Sequence, residues 1–485
     1  MKVKAAGRQI SGRAGGQTAL RTAVPGLDWP ALPGGNAAVL LSIMHQLEQS
    51  QWWPPDRLER AQLRQLGALL EHCWRTVPFY RSRLEQAGWT PGTRLDGEIW
   101  RRLPLLTREE VQSAGTDLHS TALPAGHGPT HTIRTSGSTG KPVAVVKTNA
   151  DGLYWHAFLL RDHLWHRHDF SRRLAVIRVM ETGAASPPDG LRQRSWGGMT
   201  GRLFRTGPAF ALHIGSTAQQ QLAWLSRVQP GYLLTVPSTA RTLAQLSREN
   251  GVVLPELQAV LTMGEVCTPE TRAAVAETWN VPVHDAYSSQ EVGYMALQCP
   301  EHGHYHLQSE SALVEVLDQG GRPCPPGRLG RIVATPLHNF AMPLIRYDIG
   351  DYAEAGAPCP CGRGLPVVTR IAGRVRNMLR LPDGGLIWPL LASQDYRDVA
   401  PVRQAQIAQV APDRLEARLI PERPLTADEE AALRDKINAR IGHRFEIVFT
   451  YPPEIPRGPG GKFEDFRCEL PAELSSAAAP SPNFG

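Results

Sequence analysis

The chain lacks the features that mark membrane and secreted proteins. It has no run of about 18 consecutive apolar residues, the length that a membrane-spanning helix needs. Residues 1–23 are basic and contain no acidic side chain, but they lack the apolar segment of a secretory signal. The 7 cysteines are odd in number and do not have the spacing of a disulfide scaffold. We therefore expect a cytoplasmic protein without a membrane partner, whose cysteines are free or bound to metal.

Dense runs of lysine or arginine are also absent. The net charge of +6 is mildly basic, and the arginines are scattered along the whole chain. Nucleic-acid binding usually requires basic residues clustered on one face, so we expect no nucleic-acid partner. A basic protein that handles small polyanionic molecules is the better interpretation.

The 485 residues are enough for two or more domains. Strand-like and helix-like segments alternate over residues 174–287, which is typical of a parallel α/β sheet. From residue 312 the pattern becomes β-rich, and residues 404–450 read as a small α+β unit. The predicted fold class is therefore α/β: a large N-terminal domain with parallel α/β sheets and a β-rich subdomain, plus a small mobile C-terminal α+β domain. The predicted parts are a flexible segment at 1–35, the large domain at 36–374, a lid domain at 375–472 and a disordered tail at 473–485.

One short stretch combines hydroxyl groups, glycines and a lysine between two predicted strands, at 131–134 and 143–147. Backbone N–H groups in such a glycine-containing loop form a concavity that binds anions. The lysine is followed by proline, so the stretch is not a Walker phosphate loop. A solvated Ser/Gly linker is the alternative, but two flanking strands favour a hairpin. The candidate phosphate-binding residues are Thr135, Ser136, Gly137, Ser138, Thr139, Gly140 and Lys141.

Ligands of a parallel sheet bind beyond the carboxyl ends of its strands. Two segments follow predicted strands there: Gly264-Glu265, and the run at 287–291 with an aromatic ring and a carboxylate. Further along the chain, Asp348 and Asp351 flank a glycine; turn caps are the simpler explanation for them. Lys462 ends a Gly/Pro-rich loop, and a solvated lysine is its simpler explanation. Each feature is weak alone.

As an ordered set, these features resemble the adenylate-forming superfamily of acyl-CoA synthetases, adenylation domains and luciferases. Within it, the chain is most similar to the phenylacetate–CoA ligase family, over about residues 63–470. The motifs that carry the resemblance are Val77-Pro78-Phe79-Tyr80-Arg81, Leu103-Pro104-Leu105-Leu106-Thr107, the loop 135–141, the run 287–291, Pro343-Leu344-Ile345-Arg346-Tyr347 with Gly350-Asp351, Cys361-Gly362-Arg363, Gly373-Arg374 with Met378-Leu379, and Gly461-Lys462.

The resemblance implies ATP and Mg²⁺ as cofactors and assigns roles to matching positions. The loop 135–141 would hold the β- and γ-phosphates, and Glu291 would help to hold Mg²⁺. Lys462 would bridge the substrate carboxylate and the α-phosphate, so Lys462 and Glu291 are the expected catalytic residues. Such cations would stabilise the charge that develops when two anions react.

The remaining expected nucleotide contacts lie at the strand ends. Tyr287 would stack on adenine, and Asp351 would bind the ribose hydroxyls. Asp348 has no such role, because the family often has arginine there. The full set of further nucleotide-binding positions is Gly264, Glu265, Asp285, Tyr287, Ser288, Asp351 and Arg374.

The implied reaction activates a hydrophobic or aromatic carboxylic acid as acyl-AMP, with release of pyrophosphate. The acyl group then passes to a thiol, either of CoA or of a carrier protein's phosphopantetheine. After Gly373-Arg374, however, the chain has Val375-Arg376-Asn377 where the family usually has two acids. This departure leaves a second acceptor open: an amine, as in ligases of the coronafacic acid type. A non-catalytic nucleotide- or RNA-binding protein is the alternative of another class.

Two further groups of residues could bind metal. Cys299, His302, Cys359 and Cys361 supply four ligands for a tetrahedral zinc ion, and His304 or His306 could replace His302. Some relatives resemble this in carrying a structural zinc; two loops with free thiols are the alternative. Four histidines also fall in or after a predicted helix at 151–168. We interpret that helix as exposed rather than metal-binding, since no carboxylate fixes a site there.

Overall fold

A computed structural model describes residues 19–134, 143–181, 183–374, 378–383, 385–387, 389, 396, 398–457 and 463–470. Two predicted site elements, the hydroxyl-rich loop at 135–141 and Lys462, lie outside the described residues, as do positions 375–377. The described helices are α1 Gly35–Ser50, α2 Pro55–Thr76, α3 Arg81–Gln86, α4 Gly97–Arg102, α5 Arg108–Ala114, α6 Asn149–Trp165, α7 Thr200–Leu203, α8 Ala218–Val228, α9 Pro237–Glu249, α10 Pro269–Trp279 and α11 Ala427–Ile441.

The strands of the first two thirds of the chain are β1 Thr130–Arg134, β2 Ala144–Thr148, β3 Leu174–Arg178, β4 Leu191–Gln193, β5 Ala209–His213, β6 Tyr232–Thr235, β7 Ala259–Met263, β8 Val283–Ser289, β9 Gly293–Gln298, β10 Tyr305–Leu307 and β11 Ala312–Leu317. The later strands are β12 Leu329–Pro336, β13 Tyr347–Ala355, β14 Val367–Arg374, β15 Leu379–Arg380, β16 Leu386–Ile387, β17 Val402–Ala411, β18 Arg414–Pro421, β19 Glu446–Thr450 and β20 Phe466–Cys468.

Twelve of these strands form one continuous sheet in the order β11-β12-β13-β14-β10-β9-β8-β7-β6-β3-β5-β4. The run from β8 to β5 is parallel, and from β9 to β11 all pairs are antiparallel. The predicted parallel α/β sheet and the β-rich part are therefore both confirmed. They are two halves of the same sheet, which meet where antiparallel β9 pairs with β8.

The parallel half is covered on both faces. Helix α6 packs over one face with α1, against alternate residues such as Leu174 and Leu261. Helices α8, α9 and α10 cover the other face, against Ala175 and Val260. Because successive side chains on a strand point to opposite faces, each strand contributes to both cores. The helices then leave only the strand ends open to a ligand.

A second, smaller unit lies at the C-terminal end of the described chain. Its sheet has the order β19-β18-β17-β20, and α11 packs on it through Leu433 and Ile437. Helix α11 begins with the capping box that its sequence predicts, in which Thr426 and Glu429 accept each other's backbone N–H groups. Thr107 and Glu110 form the same predicted arrangement at the start of α5.

The predicted hairpin around the hydroxyl-rich loop is confirmed for its two strands. Strands β1 and β2 are antiparallel neighbours, with Arg134 opposite Ala144. None of the helices in the described part of the chain has the length and apolar character needed to cross a bilayer.

One local prediction was wrong, and one segment of the β-rich region departs from its apolar pattern. The apolar run at 344–347 becomes a strand only at Tyr347, because Arg346 has a φ of 51°, a left-handed conformation that interrupts a strand. Helix α6 is not exposed: His163 is 5% exposed and His168 is 4% exposed. A polar ring can be buried when another ring satisfies its nitrogen. The sequence does not reveal that neighbouring ring, so these histidines were wrongly predicted to lie at the surface.

Candidate active site

Three predicted nucleotide-binding residues from three strands meet at one point. The Tyr287 hydroxyl donates to Asp351 Oδ2 at 2.7 Å, and Arg374 Nε donates to Asp351 Oδ1 at 3.2 Å. Register explains the second contact, because Asp351 on β13 lies opposite Arg374 on β14. Burial lowers the pKa of Arg374, but Asp351 and Glu291 outweigh this effect and the net shift is upward. Burial and then Asp351 raise the pKa of Tyr287. The cluster thus offers an ionic acceptor beside an aromatic ring.

Glu291 lies just after β8 and is 6% exposed. Its Oε1 is 3.6 Å from the Arg108 guanidinium, at the start of α5. The sequence analysis missed Arg108, although it follows the predicted cap Thr107; a neighbour 183 positions away has no signal in the sequence. The Glu291 carboxylate can hold a divalent cation, since carboxylate oxygens are the ligands that Mg²⁺ prefers.

Gly264 and Glu265 follow β7 at the carboxyl edge of the parallel sheet. Gly264 has a φ of 92°, a conformation that favours glycine and lets the chain turn sharply there. The Glu265 side chain is 7% exposed, and burial raises its pKa while hydrogen bonds from backbone N–H groups oppose the rise. One of these comes from Ser238, at the start of α9, over 2.9 Å.

The other backbone donor to Glu265 belongs to the C-terminal unit. Phe463 N donates to Glu265 Oε1 at 2.8 Å, and Arg457 donates to Ser238 Oγ at 2.9 Å. The Arg241 side chain, 7% exposed, pairs with Asp465 at 2.7 Å. The two ends of the Gly/Pro-rich loop that carries Lys462 are therefore attached beside Gly264-Glu265.

Asp285 and Ser288 occupy different positions on β8. Asp285 is buried and accepts from Thr262 and from the Tyr305 hydroxyl, at 2.5 and 2.7 Å. Burial raises its pKa to about 6. Its oxygens are thus already used inside the sheet. Ser288 is half-buried and follows a bulge in the pairing with β9, one residue after Tyr287.

The predicted zinc ligands come together under the antiparallel half of the sheet. His302 Nδ1 is 3.6 Å from Cys299 Sγ and 3.5 Å from Cys359 Sγ, and the two sulfurs are 3.9 Å apart. Zinc–ligand bonds of about 2.0–2.3 Å at tetrahedral angles give ligand separations of about 3.5–3.8 Å. The residues present therefore fit a zinc ion in spacing and in chemistry.

The structure offers two overlapping ligand sets at this centre. One is Cys299, His302, His304 and Cys359, and the other is Cys299, His306, Cys359 and Cys361. Cys361 Sγ lies 3.4 Å from His306 Nε2. The four residues first chosen from the sequence are thus divided between the two sets, because Cys361 approaches His306 rather than His302.

Comparisons with known proteins agree with this architecture. The CapK C-terminal domain family matches residues 379–466. The phenylacetate–coenzyme A ligase of Thermus thermophilus is 27% identical over 454 residues, which cover 84% of this chain and 96% of that enzyme. The Escherichia coli phenylacetate–coenzyme A ligase is 23% identical over 84% of this chain and 93% of its own length.

A solved structure of a 2-hydroxyisobutyryl-CoA ligase with a bound acyl-AMP covers 88% of this chain and 92% of its own, at a TM-score of 0.67 and 21% identity. The predicted resemblance to phenylacetate–CoA ligases is confirmed by these relatives, and the fold is that of adenylate-forming ligases. The relatives named here are coenzyme A ligases.

Proposed function

We propose that the protein is an ATP-dependent ligase that activates a hydrophobic or aromatic carboxylic acid as acyl-AMP and then transfers the acyl group to the thiol of CoA. In the first step a carboxylate oxygen bonds to the α-phosphorus and pyrophosphate leaves. In the second step the thiolate bonds to the acyl carbon, and the bond to AMP breaks. CoA is proposed as the acceptor because the relatives named above are coenzyme A ligases.

The observation that carries this proposal is the hydrogen-bonded cluster of Tyr287 on β8, Asp351 in the middle of β13 and Arg374 at the end of β14. The Asp351 carboxylate would accept from the ribose hydroxyls, with the Tyr287 ring against adenine. Arg374 would then turn from Asp351 towards the nucleotide. Charge-assisted hydrogen bonds of this kind are among the strong ones, which suits a site that must orient ATP.

The reaction brings two anions together and needs positive charge and a held geometry. We propose that Lys462 supplies that charge at the α-phosphate, and that the contact between Phe463 N and Glu265 holds its segment at the site. The loop at 135–141 would bind the β- and γ-phosphates. Closure of the C-terminal unit would keep water from the acyl-adenylate.

Two metal ions are part of the proposal. Mg²⁺ at Glu291 would neutralise phosphate charge when bound, and a structural zinc would cross-link the loops around Cys299 and Cys359. We propose that the large domain ends near residue 374, where β14 ends, and that the unit beyond it rotates between the two steps. Use of ATP is the reason to propose a cytoplasmic location.

Acid-dependent exchange of labelled pyrophosphate into ATP, measured over a panel of carboxylic acids, tests the proposal. We expect Lys462→Ala to lower this exchange at least about 100-fold, since one positioned charge contributes roughly that much. Lys436→Ala is the matched control, because Lys436 lies on α11 of the same unit, where it pairs with Asp398 at the surface. Full exchange in the Lys462 variant would contradict the assignment.

The acceptor is tested separately with the acyl-adenylate that the wild-type enzyme forms. A thioester with CoA is the expected product. An amide formed from an amino-acid pool without CoA would replace this acceptor with an amine, as in coronafacic acid ligases. No exchange with any acid, combined with tight and strongly salt-dependent RNA binding, would favour the non-catalytic alternative.

A further inference from the structure

Arg178, the last residue of β3, extends its side chain across the carboxyl edge of the parallel sheet. Its Nη1 donates to Met263 Sδ, at the end of β7, over 2.8 Å. Strand β6 lies between β3 and β7, so the Arg178 and Met263 side chains together bridge two strand spacings, about 10 Å in all. It therefore lies across the crevice in which parallel α/β sheets bind ligands, beside Gly264-Glu265.

The alternation of β3 places Arg178 on the face covered by α6. Leu174 and Val176 pack into the core on that face, and Arg178 follows at the same period of two. Tyr294 on β9 is buried there, and its ring centroid is 4.7 Å from that of Trp155 on α6. Met263, which the guanidinium contacts, belongs to the same apolar cluster as these two rings.

Arg178 is half-buried and forms no salt bridge in the described part of the chain, whereas the three buried arginines each pair with an acid. Arg161 pairs with Glu310, Arg346 with Glu315 and Arg241 with Asp465, at 2.7–3.1 Å. Among the described residues, the one hydrogen-bond acceptor of the Arg178 guanidinium is the Met263 thioether, which is a weak acceptor. Burial lowers the pKa of Arg178, and only Tyr294 opposes this effect.

A desolvated cation without a counter-ion is costly, and interiors normally pair it. At a ligand-binding edge, the missing anion can come with the ligand. The Arg178 fork is suited to two parallel N–H···O bonds with a carboxylate. The ATP phosphates have their own proposed partners at Lys462 and the loop 135–141. The positive charge of Arg178 is therefore available to bind the substrate acid.

We propose that Arg178 binds a second carboxylate on the substrate, so that the acid activated here is a dicarboxylic acid with an apolar or aromatic body held against Trp155 and Tyr294. One carboxylate reacts with ATP, and the other pairs with Arg178. This inference rests on the proposed ligase function and narrows it from hydrophobic acids in general to acids that carry a second anionic group.

The test compares matched acids that differ only in that group: 4-carboxyphenylacetate with 4-methylphenylacetate, and α,ω-dicarboxylates of three to nine carbons with the monocarboxylates of equal length. In pyrophosphate exchange, we expect at least one dicarboxylate to exceed its partner in kcat/KM by about 10- to 100-fold, the range of a charge-assisted hydrogen-bond pair. Arg178→Met should remove that preference, measured as the ratio of kcat/KM for the dicarboxylate to kcat/KM for its monocarboxylate partner.

Arg178→Lys should retain part of the preference, since it keeps the charge but loses the fork. Arg192→Met is the matched control, because Arg192 is an exposed arginine on β4. Its loss should change kcat/KM for neither acid. The proposal would be overturned if the wild-type enzyme had a higher kcat/KM for every monocarboxylate than for its dicarboxylate partner. It would also be overturned if Arg178→Met lowered kcat/KM equally for both acids of a pair.

Calorimetric binding of the same acids without ATP separates this inference from the proposed function. Tighter binding of a dicarboxylate that is lost in Arg178→Met supports the site even if no acid supports exchange, in which case the ligase proposal alone fails. Exchange with monocarboxylates only, and no dicarboxylate-specific binding, leaves the ligase proposal standing and refutes the role of Arg178.

Discussion

The buried histidines of α6 predict a loss of stability in mild acid. His163 Nδ1 is 2.9 Å from His168 Nδ1, and the other nitrogen of His168 is 2.9 Å from His284 Nδ1. The His163 ring makes edge contacts with Phe170 and Trp196. Burial, and then the His284 charge, lower the pKa of His163 from 6.5 to about 4.

The sign follows from proton binding. Because the folded-state pKa is lower than the unfolded value, the unfolded chain binds the proton first as the pH falls. The stabilising contribution of neutral His163 is complete above pH 6.5 and is lost progressively down to about pH 4. Between pH 7 and pH 5, this one group is worth about 2 kcal/mol of unfolding free energy, from about 1.4 kcal/mol per pKa unit.

The assay is urea unfolding at pH 7 and pH 5, followed by tryptophan fluorescence, for the wild type and His163→Phe. The phenyl ring suits the aromatic surroundings but cannot take a proton. We expect the variant to lose about 2 kcal/mol less than the wild type between the two pH values, whatever its absolute stability. The measured quantity is the difference between the two proteins in this loss of unfolding free energy. The difference is needed because burial raises the pKa of Asp162 to about 7, so that this group stabilises the folded protein as the pH falls over the same range.

His131→Gln is the control, since His131 is exposed on β1 and its replacement should leave the pH dependence unchanged. If His163→Phe loses as much stability in acid as the wild type, the buried imidazole is not the source of the acid sensitivity, and the reasoning is refuted.

Two further predictions concern the proposed ligand sites. Asp351→Asn should raise the KM for ATP about 10-fold or more, because the charged acceptor between Tyr287 and Arg374 is lost. The KM for the acid should stay nearly unchanged. An equal rise in the KM for ATP in Asp348→Asn, on the same strand, would contradict a specific role of Asp351. Purified protein should contain about one equivalent of zinc. Cys359→Ser should lose the zinc, whereas Cys324→Ser, outside the cluster, should keep it. Less than about a tenth of an equivalent in the wild type would refute the zinc site.

Much of the fold is readable from the sequence because its elements have local causes. The alternation of strands and helices over 174–287 predicts the parallel sheet, and the Thr426/Glu429 pair marks the start of α11. The short strands β4 and β10 were missed, since three residues carry no periodicity. The apolar run at 344–347 is not a strand throughout, for a tertiary reason: Arg346 adopts a left-handed conformation, and its guanidinium donates to Glu315 and to three backbone carbonyls.

The candidate site was predicted in part. Ordered motifs indicated Tyr287, Asp351 and Arg374, and the structure brings these three together. The sequence did not reveal that Arg178 lacks a counter-ion among the described residues, because the lack of a partner is a property of packing and not of spacing.

The hydrogen bonds of Glu265 connect the two domains, and this connection bears on the lifetime of the proposed acyl-adenylate. Its carboxylate accepts one N–H from the large domain, at Ser238, and one from the C-terminal unit, at Phe463. In the proposed rotation of the C-terminal unit, one buried oxygen of Glu265 would lose its donor and would need hydration, since an unsatisfied buried acceptor is costly. The rotation would therefore admit water at the edge where the acyl-adenylate would lie. The lifetime of that intermediate would then be set by how soon the acceptor replaces the departing segment.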